Sequence, residues 1–340
     1  MKPLMHPKMW PQRFRAKTNL SNRRSNRNSK YSPLVGVCSR SITVLTAMLL
    51  VAWCLRIQFA GASWTELGSA WQAQSSIHIG YAVALTGVSF ACLGLFDQAA
   101  ARLVAPGMSG GWAWMTGVLA NAVSNTLGFH AVTGTVVRER LYAQQGLGAS
   151  DVVRIVSLSW LALGLGFMSM LGVAHLVIGL VTHHDQVSLV IGLVICAALG
   201  FYVCWLGGKP RQFSLWRFRQ QLPTARMAMQ QMAIGAVESA ASIGALYVLL
   251  PADLAPPFSV FAVGCIAAVA LGVLSHVPGG LGVFETGVTV LLSGSGRIDL
   301  MAALLLYRAI YNLLPFVLSL VVLAVLTMSR GPRKVQFDGG

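Results

Sequence analysis

The sequence has little charge and very little acid. Only 10% of its 340 residues are charged, with 10 acidic side chains, while 55% are hydrophobic. An average soluble chain has about 25% charged residues, so too little polar surface is present to cover a globule in water. This composition excludes a soluble enzyme and predicts an all-α, polytopic membrane protein. The 35 glycines agree with this prediction, because glycine is frequent where helices pack closely in lipid.

Signatures of catalysis and metal binding are also missing from the sequence. The six cysteines form no C-x-x-C pair, so we expect neither disulfides nor a zinc site. His183, His184 and Asp185 stand together, but we interpret them as a solvated turn. No G-x-S-x-G elbow and no G-x-x-x-x-G-K-[ST] loop occurs. We therefore expect no catalytic residue, no metal or other cofactor, no nucleic-acid partner and no enzymatic activity.

Charge of one sign is concentrated at the N-terminus. The net charge is +15, and residues 1–40 hold 10 of the 25 basic side chains and no acid. We predict a disordered cytoplasmic tail over 1–40, a membrane domain over 41–327 and a short cytoplasmic tail over 328–340. The first tail either attracts anionic headgroups or only solubilises the chain, and a wrongly chosen start codon is a third explanation. Residues 41–60 can also be interpreted as a signal peptide.

Long apolar runs account for most of the remaining chain. A hydrocarbon core of about 30 Å needs about 20 apolar residues, and runs of that kind lie at 41–60, 77–96, 156–181, 187–206, 229–250, 258–277 and 300–327. They predict seven full spans. Two further segments, 113–133 and 281–293, are shorter or more polar and are interpreted as broken or re-entrant pieces.

The distribution of basic residues sets the predicted orientation. If 113–133 enters and leaves on one side of the membrane and 258–293 does likewise from the opposite side, 22 of the 25 basic residues fall on the inner side and Arg297 on the outer side, while Arg56 and Arg308 lie within spans. The prediction is a bacterial inner-membrane protein with both termini inside and two hairpins of opposite direction. Transporters with inverted repeats build midplane sites in this way. Residues 62–76, with Trp64, Leu67 and Trp71 on one face, are predicted to form an interfacial helix.

Glu238, Glu285 and Arg308 are the ionisable candidates within the predicted spans. Inserting such a side chain at the centre of a membrane helix costs about 2.5 to 3.5 kcal/mol of free energy, so each of the three needs a partner or water. One interpretation is a structural Glu–Arg pair, and the other is a cavity for a charged headgroup. The second is favoured by the segment that precedes Glu285, Pro278-Gly279-Gly280-Leu281-Gly282, since glycine lets backbone approach a ligand.

The first broken segment has a hydrophilic face. It carries Asn121, Ser124, Asn125, Thr126, Gly128 and His130. We interpret this face as the lining of a cavity. Arg138 and Arg140 follow on the inner side, where they either anchor the helix by the positive-inside rule or capture a phosphate.

Several motifs resemble the transmembrane region of lysylphosphatidylglycerol synthases and of related stand-alone membrane proteins. They are His276-Val277-Pro278-Gly279-Gly280-Leu281-Gly282-Val283-Phe284-Glu285, Thr133-Gly134 with Val137-Arg138-Glu139-Arg140-Leu141-Tyr142 and Gly146-Leu147, Leu246-Tyr247-Val248-Leu249-Leu250-Pro251, and Tyr307-Arg308 with Tyr311 and Leu314-Pro315-Phe316. Together they cover about 45–327. The resemblance implies a flippase-like module that moves an aminoacylated phosphatidylglycerol between leaflets.

The resemblance does not extend to a synthase domain, since thirteen residues follow the last predicted span. A separate lipid-modifying enzyme would then supply the lipid, or the substrate is another phospholipid. Two alternatives stay open. One is a non-transporting subunit that anchors or regulates an envelope enzyme, with the basic loop 207–227 as its docking surface, and the other is a membrane-embedded lipid-modifying enzyme. The lipid, the energy source and the oligomeric state are not determined by the sequence, and a homo-oligomer is compatible with it.

Overall fold

The structure is a computed structural model of the chain. It describes residues 74–128, 130–182, 185–207, 212–215, 218–274, 282–294 and 297–328, together with Thr65, Gly68, Ser69 and Gln72. Several predictions fall outside these residues. They concern the tail 1–40, the span 41–60, the three apolar residues of the interfacial helix, the Pro278-Gly279-Gly280 segment, and the C-terminal tail beyond Met328.

The described chain is mainly helical. In chain order the helices are α1 (Ser76–Val104), α2 (Gly110–Leu127), α3 (His130–Ala143), α4 (Ala149–Val181), α5 (Gln186–Leu206), α6 (Ala225–Tyr247), α7 (Phe258–Leu274), α8 (Val283–Leu291), α9 (Ile298–Tyr307) and α10 (Leu314–Met328). A π-helical turn, Arg308–Leu313, joins α9 to α10.

A short hairpin lies between α5 and α6. Strands β1 (Gln212–Leu215) and β2 (Phe218–Gln221) pair antiparallel, with Gln212 opposite Gln221. Hydrophobic and polar residues alternate along β1, as is typical of a strand. The hairpin is the exception among the described residues to the predicted all-helical architecture, and it lies within the basic loop 207–227.

Four described helices are long and apolar enough to cross a membrane. They are α1, α4, α5 and the continuous segment Ile298–Met328, with mean hydropathy between 1.9 and 2.5. The chain is therefore a multi-pass helical membrane protein. Helix α6 is less apolar because it carries polar side chains such as Gln231 and Glu238, and α7 has 17 residues. The predicted total of seven spans is not reached within the described residues.

Three breaks interrupt the helices around the centre of the fold. The segment 113–133 is divided between α2 and α3 at Gly128, whose φ of 73° is favoured by glycine. The second short helix, α8, has nine residues instead of the thirteen expected and starts after Gly282, with φ 78°. The third break was not predicted, since 300–327 was expected to be one uninterrupted span. Pro315 has no N–H to donate to the carbonyl of Tyr311, which accounts for the π-helical turn just before it.

Helix α1 lies at the centre of the packing. It contacts α2, α4, α6 and the π-helical turn, while α4 also packs against α5, α6 and α7. Glycine faces glycine at two helix crossings, Gly94 with Gly117 between α1 and α2, and Gly166 with Gly235 between α4 and α6. These close crossings fix the walls of the cavity described next.

Candidate functional site

A cavity of about 480 Å³ opens between the helices. Its lining comes from α1, α2, α3, α4, α6, α7, α8, α9 and the π-helical turn. Apolar and aromatic side chains form much of the wall, and the charged side chains in the lining are Asp97, Arg138, Glu238 and Arg308. A volume of this size lies within the range of about 300 to 1,000 Å³ that is usual for ligand sites.

The first charged group is a buried ion pair between α1 and α3. Arg138 donates from Nε to Asp97 Oδ2 at 2.7 Å and from Nη2 to Oδ1 at 2.8 Å. The hydroxyls of Ser159 and Tyr142 also donate to this carboxylate, at 2.8 and 3.2 Å. We call these four residues the Asp97 cluster. Asp97 is 0% exposed and Arg138 4% exposed, so the bidentate geometry compensates both charges where water is excluded.

The Asp97 cluster changes the interpretation of two predicted residues. Arg138 is buried in the cavity wall, so it does not act as a solvated anchor by the positive-inside rule, whereas Arg140 is exposed and does not line the cavity. Asp97 was missed because the predicted run ended at residue 96, whereas α1 continues to Val104. A signal was present in the sequence, since Asp97 is the single acidic residue between Glu66 and Glu139.

The second charged group joins α8 to the π-helical turn. Arg308 donates from Nε to Glu285 Oε1, and Glu285 Oε2 accepts from the backbone N–H of Gly282 at 2.8 Å. One carboxylate thus caps the start of α8 and holds the guanidinium. Arg308 is 4% exposed, and its Nη1 has no hydrogen-bond partner among the residues that the structure describes. The predicted Glu–Arg pair therefore exists, and it leaves one buried donor unused.

Glu238 is the third charged group, on α6. It is 3% exposed and accepts from Ser89 Oγ at 2.8 Å and from Ser239 Oγ at 3.5 Å. Ser89 Oγ is also hydrogen-bonded to Tyr311 Oη at 2.9 Å. None of the ion pairs found in the described residues involves Glu238. Its environment differs from that of Glu285 and Asp97, because its partners are hydroxyls and not guanidinium groups.

Aromatic rings stand beside these charged groups. Tyr307 stacks on Tyr311, with ring centroids 5.2 Å apart and an interplanar angle of 13°. Phe284 of α8 contacts Tyr307, with centroids 6.1 Å apart. All three rings line the cavity. Tyr311 and Arg308 both belong to the π-helical turn, and both line the cavity.

The hydrophilic face of α2 also lines the cavity through Asn121, Ser124, Asn125 and Gly128. The side-chain amide of Asn121 donates to Gly117 O at 2.8 Å. Thr126 Oγ1 bonds to Asn312 O at 2.9 Å and so ties α2 to the π-helical turn. The polar face thus belongs to the same site as Arg308.

The structure brings together most of the predicted site residues that it describes. Asn121, Asn125, Arg138, Glu238, Tyr307, Arg308 and Tyr311 line the cavity. Glu285 and Gly282 are linked to it through Arg308, and Arg140 is not part of it. His130 begins α3, but its side chain, like Pro278, Gly279 and Gly280, lies outside the described part of the chain.

An ion cluster lies away from the cavity, where the loop after α6 meets the start of α9. Arg297 pairs with Asp253 at 2.8 Å and with Asp299 at 2.6 Å. Hydrogen bonds from the guanidinium lower the pKa of the Asp253 carboxyl, which lies in the loop. We call these three residues the Arg297 cluster. Arg297 was the basic residue predicted on the outer side, and the structure gives it two acidic partners.

Asp185, which was considered with His183 and His184 for a metal, has a structural role. It caps α5 by accepting from Ser188 N at 2.9 Å and from Ser188 Oγ at 2.7 Å. The backbone hydrogen bond from Ser188 lowers the pKa of this carboxyl. His183 and His184 lie outside the described residues, and the described part holds no group of three or more potential ligands for a metal.

Comparison with known proteins adds two relatives. No family model matches the chain. The chain is 31% identical over 206 residues to the uncharacterized protein slr0712 of Synechocystis, a match that covers 58% of this chain and 64% of that protein, a little under two thirds. It is 29% identical over 287 residues to the inner membrane protein YbhN of Escherichia coli, covering 82% of this chain and 87% of that protein. Neither name states a ligand or an activity, so the resemblance to lysylphosphatidylglycerol synthases stays a prediction. The chain is thus a multi-pass membrane protein that is similar, over most of its length, to a protein of a bacterial inner membrane.

Proposed function

We propose that the protein binds a phospholipid headgroup in the central cavity and moves the lipid between the leaflets of a bacterial inner membrane. The observation that carries the proposal is Arg308, a buried guanidinium in the cavity wall whose Nη1 has no partner among the described residues. Guanidinium groups bind phosphate through paired, charge-assisted hydrogen bonds. A buried donor that is left unused in a cavity is thus a suitable phosphate ligand.

The remaining charges suit the rest of a headgroup. Glu238 provides a carboxyl without a guanidinium partner, which can receive an ammonium group. The amide of Asn125 and the rest of the hydrophilic face of α2 can bind water molecules that hydrate the headgroup. The apolar walls of the cavity can contact the acyl chains. Arg138 is already neutralised by Asp97, so we assign it a role in shaping the cavity.

The motifs shared with lysylphosphatidylglycerol synthases favour an aminoacylated phosphatidylglycerol as the lipid, since it carries both a phosphate and an ammonium group. The proposal includes no chemical conversion of the lipid. A separate lipid-modifying enzyme would supply the substrate. The inner membrane is proposed from the name of the Escherichia coli relative.

The test uses the purified protein in liposomes with a tail-labelled fluorescent phospholipid that has an ethanolamine headgroup. Dithionite quenches label in the outer leaflet, so translocation appears as additional quenching. A charge-assisted hydrogen bond contributes about 1.5 to 3 kcal/mol, so Arg308→Gln should slow translocation about tenfold or more. Arg140→Gln removes an exposed guanidinium outside the cavity and should leave the rate unchanged. Equal rates in the Arg308→Gln variant and the parent protein would contradict the proposal.

The second candidate function is that of a non-transporting subunit of an envelope lipid enzyme. It is favoured by the hairpin β1–β2, which gives the basic loop between α5 and α6 an ordered element. Replacement of 212–221 by a Gly-Ser linker should then release a co-purifying enzyme. If translocation is absent in the parent protein and an enzyme is lost with the hairpin, this second function replaces the first. Turnover of added lipid by the purified protein would instead indicate a membrane-embedded enzyme.

A further inference from the structure

Glu238 differs from the other buried acid of the cavity. Asp97 accepts four hydrogen bonds, two of them from the guanidinium of Arg138. Glu238 is equally enclosed, but its described partners are the hydroxyls of Ser89 and Ser239. A buried carboxylate without a cation is unfavourable, and a carboxyl in such a place tends to take up a proton.

The groups that face Glu238 from the neighbouring elements are neutral. They are the thiol of Cys92 on α1 and the phenols of Tyr307 on α9 and Tyr311 in the π-helical turn. Helix α7 contributes one titratable group to the cavity, the thiol of Cys265.

Two further helices pack against α6, and their titratable groups lie elsewhere. On α4, Asp151 pairs with Arg154, and His175 contacts Ser188. On α5 they are Cys196, Tyr202 and Cys204, which do not line the cavity. On α1, His78, Tyr81 and Arg102 do not line the cavity, and Asp97 pairs with Arg138. Arg308 in the π-helical turn does line the cavity, but its guanidinium pairs with Glu285. No ion pair found in the described residues involves Glu238.

The hydroxyl chain beside Glu238 suits both protonation states. A hydroxyl donates one hydrogen bond and accepts others, so Ser89 can donate to the carboxylate or accept from the carboxylic acid. The Ser89–Tyr311 contact can run in either direction as well. Tyr311 lines the cavity, so the chain leads from the buried carboxyl to the space where a headgroup would lie.

We propose that Glu238 holds a proton while the cavity is empty and exchanges it for the ammonium group of a cationic headgroup. This inference rests on the proposed function, because the headgroup is the competitor for the carboxyl. On entry of the lipid, the carboxylic O–H bond of Glu238 breaks, its proton leaves to cavity water, and the carboxylate pairs with the ammonium. Departure of the lipid restores the acid by taking one proton from water. Lipid movement is then coupled to proton movement in the opposite direction.

The first measurement is proton release. Dihexanoyl phosphatidylethanolamine is added to the full-length protein in weakly buffered detergent, and a pH-sensitive dye records the protons set free. The parent protein should release about one proton for each lipid bound. Glu238→Gln should lose the release. Glu139→Gln, which removes an exposed acid outside the cavity, should retain it. Unchanged release in the Glu238→Gln variant overturns the proposal.

The second measurement needs no lipid. The infrared difference between the parent protein and Glu238→Gln should show the carbonyl stretching band of a protonated carboxylic acid at neutral pH. If the glutamine variant does not fold, Ser89→Ala replaces it. That variant should shift the frequency of the band, because it removes the bond to Oε1. A spectrum without this band overturns the proposal even where lipid binds.

The outcomes separate the two proposals. Lipid binding and translocation without proton release overturn the exchange and leave the proposed function standing. Absence of lipid binding overturns both. Binding with release that depends on Glu238, together with the infrared band, supports both.

Discussion

Removal of the charge of Asp97 tests how the cavity is held together. The change Asp97→Asn keeps the size of the side chain and removes its charge. Arg138, 4% exposed, would then be left in the wall of the cavity without a counter-charge. Breaking a buried ion pair from one side costs about 3 to 5 kcal/mol, since the remaining charge cannot be solvated. We expect a loss of unfolding free energy of this size.

The neighbours of Asp97 give graded comparisons. Tyr142→Phe removes one hydrogen bond of 3.2 Å but leaves the charges paired, so it should cost about 1.5 kcal/mol. The double variant Asp97→Asn with Arg138→Gln removes both charges. It should be more stable than the sum of the single losses predicts, with a coupling energy of about 0.5 to 3 kcal/mol.

Geometry can be perturbed without changing any charge. A Cβ on Gly117 would lie 2.6 Å from the Cβ of Asp97, so Gly117→Ala should displace the carboxylate. Gly111 lies on the same helix, and a Cβ there would be 3.9 Å from Ser109 Oγ. Gly111→Ala is therefore the matched control. We expect Gly117→Ala to destabilise the protein by about 1 to 3 kcal/mol and the control to have little effect.

The assay is the unfolding free energy of the full-length protein in detergent micelles, measured by steric trapping. Translocation in liposomes is measured on the same variants. If Asp97→Asn loses less than about 1 kcal/mol, the inference that the pair is fully desolvated is wrong. Strict additivity of the two single variants would likewise contradict the bidentate contact.

Three further predictions address other parts of the structure. A Cβ on Gly166 would lie 2.5 Å from the Cα of Gly235, so Gly166→Ala should separate α4 from α6. The same unfolding assay should show a loss of about 1 to 3 kcal/mol, and an unchanged unfolding free energy would contradict the close crossing. If Glu285 and Arg308 only neutralise each other, the double variant Glu285→Gln with Arg308→Gln should restore the folding and the lipid movement that either single variant loses. If they form a headgroup site, the double variant should fold but should not translocate lipid, and this is the result we expect. The pair of Arg297 with Asp253 should stabilise the protein above about pH 4 and lose this effect as pH falls through the lowered pKa of Asp253. Arg297→Gln should therefore flatten the acid side of a plot of Tm against pH, and identical acid profiles would contradict this.

Much of the membrane architecture follows from local sequence. The runs 77–96, 156–181, 187–206 and 300–327 coincide with the helices that are long and apolar enough to cross a membrane. The break inside 113–133 was expected from its polar residues and is found at Gly128. These predictions succeed because hydropathy and the backbone preferences of glycine depend only on residues that are close together in the sequence.

The ends of helices and their irregularities were harder to predict. Helix α1 continues eight residues beyond the predicted run, and this continuation hides Asp97 from a search of apolar segments. The π-helical turn before Pro315 was expected to be regular helix. At Asp97, packing supplies hydrogen-bond partners for a charge that hydropathy alone assigns to water. At Pro315, the missing N–H interrupts the regular helix, which hydropathy does not register.

The sequence by itself determined the class of the protein, its apolar helices and a short set of residues that are expensive to bury. Only the tertiary structure decided which of those residues meet. Arg138 reaches Asp97 across 41 residues of chain, Arg308 reaches Glu285 across 23, and Glu238 is left with hydroxyl partners. The physical reason is that each residue's tendency to enter the membrane depends on its own side chain and its near neighbours in the sequence. The pairing of charges depends instead on how the helices cross, and those crossings are set by contacts such as Gly166 with Gly235.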